Sequence, residues 1–157
     1  MRSRKRLDRL ECLEIADTCT FFSVRRASRV VGKIFDEALR PAGLRATQFS
    51  LLVGLGMVES ATVTRMADSL ALDRTSLTRN LAPLERSGLV ESFGGADGRE
   101  RRVRLTERGA RRLADGFAHW QQAQQNVVAR LGPTRWKELM SGLRLAREMS
   151  RPSRGKE

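Results

Sequence analysis

Two short amphipathic segments separated by a tight turn, and followed at once by an arginine-rich hairpin, occupy residues 62–105, and few small folds accommodate that succession. Thr62 is placed to cap the first segment, in which Val63, Met66, Ala67 and Leu70 recur at i, i+3, i+4 and i+7 before Ala71-Leu72 closes it. Asp73 is placed to cap the second, which runs to Ser87 with Gly88 in the position where a left-handed residue ends a helix. At about 100° per residue Leu77, Leu81 and Leu84 gather on one side of that helix, while Thr75, Arg79 and Arg86 point almost opposite, flanked by Ser76 and Ala82. Pro83 removes one backbone hydrogen bond from the run and predicts a bend. Leu89 to Phe93 then reads as a strand and Gly94 to Gly98 as a turn. Arg101 to Leu105, alternating basic with apolar, reads as the returning strand of a two-stranded hairpin.

The flanks read as helix. From Leu7 to Arg40 the only Gly or Pro is Gly32, and Ala27, Val31, Ile34 and Ala38 keep helical spacing, which predicts one long helix ending before Pro41-Ala-Gly43. Thr47 is a candidate cap for a second helix carrying Phe49, Leu52, Val53 and Gly56 on one face, with Glu59-Ser-Ala as a turn. Thr106 opens a long helix that Gly132-Pro133 stops, and a last helix runs from Thr134 to about Met149. The expected class is mainly α with a small β-hairpin wing (α+β). In domain terms residues 1–157 form a single domain with a winged helix-turn-helix core at 45–105, flanked by helices at 7–40 and 106–150, and a disordered tail at 151–157. Phe21, Phe22, Trp136, Leu139, Met140 and Leu143 lie on flanking stripes too long for so small a core to cover, which predicts that 7–40 and 106–150 are dimerisation helices in a homodimer.

Composition narrows the function. Of 30 basic residues only four are Lys, so the net charge of +12 is carried by Arg, whose planar fork suits phosphates and guanine edges. An arginine-favouring genome would give the same skew, so the distribution of charge has to decide. It is concentrated at a loop tip, where Arg99, Arg101, Arg102 and Arg104 follow Asp97-Gly98. Against an enzyme stands the single His119, with no G-x-S-x-G or H-E-x-x-H run, so no catalytic residue is assigned. Two cysteines without a His or a second Cys pair argue against a metal or any other cofactor, and aromatics at 5% argue against an RNA-stacking platform. The longest nearly unbroken apolar stretch, Phe49 to Val58, spans ten residues, about half a bilayer crossing, and no apolar signal region follows the basic N-terminus. No membrane partner and a cytoplasmic location are expected.

In a winged helix-turn-helix the second helix enters the major groove of double-stranded DNA and the wing reaches toward the adjoining minor groove. Thr75 and Ser76 carry hydroxyls able to bond base edges or phosphates, and Arg79 has the reach for a bidentate guanine contact. Arg99 is the candidate minor-groove residue, with Asp97 holding its guanidinium and Arg101 and Arg102 nearer the phosphates. The plainer alternative is an amphipathic helix with a solvated polar face beside a solvated hairpin.

Four stretches resemble, in order, the successive signatures of the MarR family of bacterial transcriptional regulators. They are Arg40-Pro-Ala-Gly-Leu-Arg-Ala-Thr-Gln-Phe49, Leu72-Asp-Arg-Thr-Ser-Leu-Thr-Arg-Asn-Leu81, Leu84-Glu-Arg-Ser-Gly-Leu-Val90 and Asp97-Gly-Arg-Glu-Arg-Arg-Val-Arg-Leu-Thr-Glu-Arg-Gly109. With the flanking helices the resemblance covers about residues 10–150. It implies an obligate homodimer on an inverted-repeat operator, usually a repressor released by a ligand or an oxidant. By position it implies that Thr75, Ser76, Thr78 and Arg79 are the recognition-helix contacts and Arg99, oriented by Asp97, the wing contact. Pro83 is tolerated at this place in the family.

Phe21, Phe22, Arg25, Arg26, Met57, His119 and Trp120 are the candidate effector pocket, near the place where members of the resembled family hold small aromatic acids. Arg25 and Arg26 would meet an anionic effector, or else be solvated or paired with Glu37 or Asp115; the apolar members would otherwise be core. Cys12 and Cys19 stand seven apart, on one face of a helix but about 10 Å from each other, too far for a bond within it. In the family's peroxide-sensing branch the reactive Cys falls where this chain has Phe21, and the Tyr partners of that branch are missing. A thiol-sensing repressor using Cys12 or Cys19 and an effector-independent architectural or silencing DNA binder are the alternatives to a ligand-released repressor.

Overall fold

Asp8 and Glu11 close a reciprocal capping box, each side chain accepting from the other's backbone N–H at 2.8 Å, and the first helix starts there. The computed structural model describes residues 6–94 and 100–149. In chain order the elements are α1 (Arg9–Thr18), α2 (Thr20–Leu39), a 3₁₀ turn (Arg40–Ala42), α3 (Ala46–Gly56), β1 (Ala61–Thr62), α4 (Val63–Ser69), α5 (Arg74–Arg86), β2 (Val90–Gly94), β3 (Arg101–Leu105), α6 (Glu107–Leu131) and α7 (Pro133–Glu148). The expected tail at 151–157 lies outside the described residues. Among the described residues no helix is long and apolar enough to cross a membrane.

The single long helix expected over 7–40 is two helices. Cys19 takes an extended conformation (φ −69°, ψ 111°) between α1 and α2. Thr18 turns its hydroxyl back onto the carbonyl of Glu14 at 2.7 Å, a local bond that competes with helix continuation.

The start of α3 differs from expectation as well. Its N-cap is Arg45 and not Thr47; the amide of Ala46 is met by Oδ1 of Asp36 on α2 at 2.7 Å, and Gln48 Oε1 accepts from the Arg45 amide at 2.9 Å. The cap comes from another helix, so no local cap signal announces it. The expected hairpin is present as β2 paired with β3, but the sheet is larger than expected. β1, in the segment read as a turn, adds a third strand, giving the antiparallel order β1-β3-β2 with Ala61 opposite Val103 and Thr62 opposite Arg102. Two residues are too few to display a period of two.

The other signals locate elements as expected. Thr62 accepts from the Arg65 amide and caps α4, and Asp73 accepts from the Ser76 amide and caps α5. Helix α5 continues through Pro83 to Arg86. Gly88 then takes φ +67°, with the Leu89 amide bonded to the Leu84 carbonyl at 2.9 Å. Leu77, Leu81 and Leu84 are buried with Leu39, Leu52, Leu55, Val90 and Val103 in one core under the sheet. Helix α6 crosses that core at two glycines. At Gly116 a Cβ would sit 3.1 Å from the Phe49 ring, and at Gly109 it would lie 1.9 Å from the Leu89 carbonyl oxygen, so backbone there meets backbone.

Candidate nucleic-acid interface

Burial of Leu77, Leu81 and Leu84 forces the opposite side of α5 outward. Thr75, Thr78 and Arg79 are exposed and Ser76 is half-buried. Arg79 and Thr75 make no side-chain hydrogen bond or ion pair among the described residues, as expected of donors left open to a partner. Ser76 and Thr78 are committed internally. Ser76 Oγ donates to Asp73 Oδ2 at 2.6 Å and Thr78 Oγ1 donates to the Arg74 carbonyl at 2.8 Å. Each hydroxyl thus spends its proton internally and keeps its oxygen as an acceptor. The Ser76 hydroxyl and amide together hold the Asp73 carboxyl below its ordinary range, which keeps the cap charged beside the N-terminal amides of α5.

The wing stands against the other end of α5. Pairing of Gly94 with Arg101, Ser92 with Val103 and Val90 with Leu105 puts Arg101 on the same face as the buried Val103. Arg101 accordingly turns onto α5. Its Nη2 donates to Glu85 Oε1 at 2.6 Å and its Nε to Ser92 Oγ at 2.9 Å, while Ser92 Oγ donates to the same Glu85 oxygen. Burial raises the Glu85 carboxyl, but the bonds from Ser92 and Arg101 and the charge of that guanidinium outweigh it and leave the group below its ordinary value. Arg102, on the outer face, donates to Ser60 Oγ at 2.8 and 3.2 Å. Arg104 pairs with Glu91 at 2.6 Å and lies 5.3 Å over the Phe93 ring. The guanidinium groups of Arg101 and Arg102 are thus bonded internally, at the turn-side end of the β2–β3 ladder. Asp97 and Arg99 lie outside the described residues.

The candidate pocket residues are not brought together. Met57 and Trp120 line a cavity of about 740 Å³ between α3 and α6, with Phe49, Val53, Leu113 and Phe117. The Trp120 ring stacks between Phe117 at 5.7 Å and Phe49 at 6.3 Å. His119, one position earlier on α6, turns instead to a recess against α2 with Glu37 and Asn126. Phe21, Phe22, Arg25 and Arg26 lie exposed on the first half of α2, outside this cavity, in a stretch where residues 20–31 are exposed on every side of the helix. Sequence reasoning missed Phe49 and Phe117. Phe117 sits one turn before Trp120 on the same helical face, a spacing that could have found it. Cys12 is exposed and Cys19 half-buried, both free thiols, now on either side of a helix end. Among the described residues no group of acidic, His or Cys side chains is arranged to hold a metal.

Two helices joined by a short turn, a three-stranded wing braced on the second of them and long flanking helices define a winged helix-turn-helix protein of the transcription-regulator class. No family model matches the chain. The crystal structure of the Mycobacterium tuberculosis transcriptional regulator MosR in complex with DNA is 38% identical, with a TM-score of 0.73 over 85% of this chain and 99% of that one. An uncharacterized HTH-type transcriptional regulator of Bacillus subtilis, YwoH, is 29% identical over 92 residues, 59% of this chain and 67% of that protein. A mutant MarR of Escherichia coli in complex with operator DNA shares the fold, with a TM-score of 0.76 over 85% of this chain and 97% of that one at 22% identity. The chain belongs to the MarR family of transcriptional regulators, a family of regulators and not of enzymes.

Proposed function

We propose that this protein is a homodimeric, sequence-specific DNA-binding regulator that represses transcription from an inverted-repeat operator and is released by a small-molecule effector. The observation that carries the reading is the outward stripe of α5, where Arg79 and Thr75 stand open between a charged N-cap and a braced wing, opposite three buried leucines. Thr75, Ser76, Thr78 and Arg79 read the major groove, and Arg99, oriented by Asp97, enters the adjoining minor groove. The crystal structures of MosR in complex with DNA and of a mutant MarR with operator DNA support a nucleic-acid partner for this fold. Arg102 stays a candidate phosphate contact beside its bond to Ser60, and Arg101, bonded to Glu85 and Ser92, braces the wing.

Dimerisation is supported by α1 and α7, which bury none of their residues although they carry Leu10, Leu13, Leu139, Met140 and Leu143. A two-fold dimer would set the two α5 helices about 34 Å apart, one turn of DNA. The effector is an apolar aromatic molecule in the cavity walled by Phe49, Met57, Phe117 and Trp120; among the described residues no charged side chain lines that cavity, which favours ring stacking over ion pairing. The test is selection from random duplexes by the full chain at about 0.15 M salt, a concentration at which charge alone sustains non-specific binding. An enriched inverted repeat with half-sites near one turn apart, lost on adding an aromatic compound that quenches Trp120, is the expected result. Enrichment of no motif would overturn the sequence-specific reading in favour of an architectural binder.

A further inference from the structure

Glu85, Ser92 and Arg101 close a three-cornered ring of hydrogen bonds that joins α5, β2 and β3. Glu85 Oε1 is the common acceptor, and Arg101 Nε closes the ring on Ser92 Oγ at 2.9 Å. Ser92 and Arg101 reach one another because they are diagonal neighbours on one face of the paired strands. Glu85 stands one turn beyond the buried Leu81, on the flank of α5 that these strands meet. The side chains remain partly open to solvent, 42% for Arg101 and 25% for Glu85, so an ion pair here adds little to global stability. Its effect falls on geometry. Among the described residues this carboxylate is the acceptor that ties α5 to both strands of the hairpin.

We propose that Glu85 is a positioning residue: through Ser92 and Arg101 it sets the angle between the outward stripe of α5 and the wing, so that both reach their grooves in register, and Arg101 belongs to this brace and contacts no phosphate. The inference rests on the DNA-binding reading above for its consequence but not for its geometry. Loss of the brace leaves α5 capped and packed while the wing swings about its root. Specific binding, which needs both elements at once, weakens, whereas non-specific binding, which needs only charge, does not.

The experiment compares Glu85→Ala, Glu85→Gln, Arg101→Ala and the double variant Glu85→Ala/Arg101→Ala in the full chain. In the DNA-free protein, hydrogen exchange of the β2 and β3 amides is expected to quicken about tenfold in Glu85→Ala and Arg101→Ala, with the melting temperature nearly unchanged. Glu85→Gln removes the same charge but keeps an acceptor oxygen, and is expected to restore slow exchange. With the selected duplex, Glu85→Ala and Arg101→Ala each weaken specific binding about tenfold, the factor expected for one charge-assisted hydrogen bond, and the double variant is no worse than either. The slope of log affinity against log salt stays the same for Arg101→Ala; a slope smaller by about one would make Arg101 a phosphate contact and overturn the assignment. Wing exchange unmoved by Glu85→Ala, or additive losses in the double variant, would overturn it too. Should the native protein select no duplex at all, the DNA-binding reading fails while the exchange measurement still decides the brace.

Discussion

Gly109 shows how a single missing side chain fixes the placement of a 25-residue helix. Its Cβ would lie 1.9 Å from the Leu89 carbonyl oxygen and 2.9 Å from Leu105 Cδ1, and the first of these is backbone that cannot rotate aside. Gly109→Ala is expected to destabilise the fold by about 3 kcal/mol, the upper end of overpacking costs, read as a lower urea midpoint with an unchanged slope; an unchanged midpoint would mean that α6 slides to make room. At Arg79 the expectation concerns recognition. With no partner within the described residues, Arg79→Ala should leave stability within about 0.5 kcal/mol and cost roughly 1–3 kcal/mol of discrimination at one or two base pairs per half-site. Uniform loss across all sequences would reduce it to a phosphate contact. Asp73 sets an acid limit. Because its native pKa lies below its unfolded one, its contribution is complete above the unfolded value and disappears as pH falls through the native value. The amides of the first turn of α5 should therefore lose exchange protection below about pH 4 and show no such loss toward alkaline pH. At this scale the caps Thr62 and Asp73 and the turn residue Gly88 were readable, because each acts on its own neighbours. Arg101 was readable in principle: it stands two residues before Val103 and shares its face, but adjacent Arg102 blurs the alternation and made both look like surface cations.

The turn between α4 and α5 holds a strained residue. Ala71 has φ +51°, the one non-glycine residue in the left-handed region among those described. It closes a Schellman motif in which the Leu72 amide bonds to the Ala67 carbonyl at 2.9 Å and the Ala71 amide to the Asp68 carbonyl at 3.2 Å. An L-residue in that conformation costs roughly 1–2 kcal/mol, so Ala71→Gly should stabilise the protein by about 1 kcal/mol, raising the melting temperature by roughly 2–4 °C. A fall instead would mean that flexibility gained by the unfolded chain outweighs the relief of strain. Elements were legible wherever their cause was local. Helices α4, α5 and α6 and strands β2 and β3 follow from periodicity and caps within a dozen residues. What was not legible was made at a distance or on too small a scale: α3 starts where Asp36 of α2 meets its first amide, and β1 exists because β3 offers an edge to two residues. The break at Cys19 lies between these cases, since Thr18 and Thr20 flank it but the composition around it still favours helix.

For the whole molecule the unpartnered surface is the strongest constraint. Helix α7 places Leu139 and Leu143 one turn apart, 46% and 39% exposed, and α1 leaves Leu10 and Leu13 uncovered. A ten-residue helix with no buried residue is marginal on its own in water, so α1 needs a surface that the described residues of this copy do not supply. A second copy presenting the same faces is the economical source. The full chain should then sediment at twice 17.6 kDa, with a melting temperature that rises with protein concentration. Leu139→Glu combined with Leu143→Glu puts two carboxylates into that contact and should yield monomers at micromolar concentration. The core is built from the end of α2 through β3, with α6 packed against it, and shares no buried residue with α7, so far-ultraviolet circular dichroism should stay mainly helical. Each monomer keeps one complete reading head, and the loss falls on linkage: affinity for a full inverted repeat should drop by about 100-fold or more, while affinity for an isolated half-site stays within a few-fold. A variant that remains dimeric would move the interface away from α7. A monomer that still binds the full repeat as tightly would show that the two half-sites are read independently, and the exposed faces of α1 and α7 would then require a different partner.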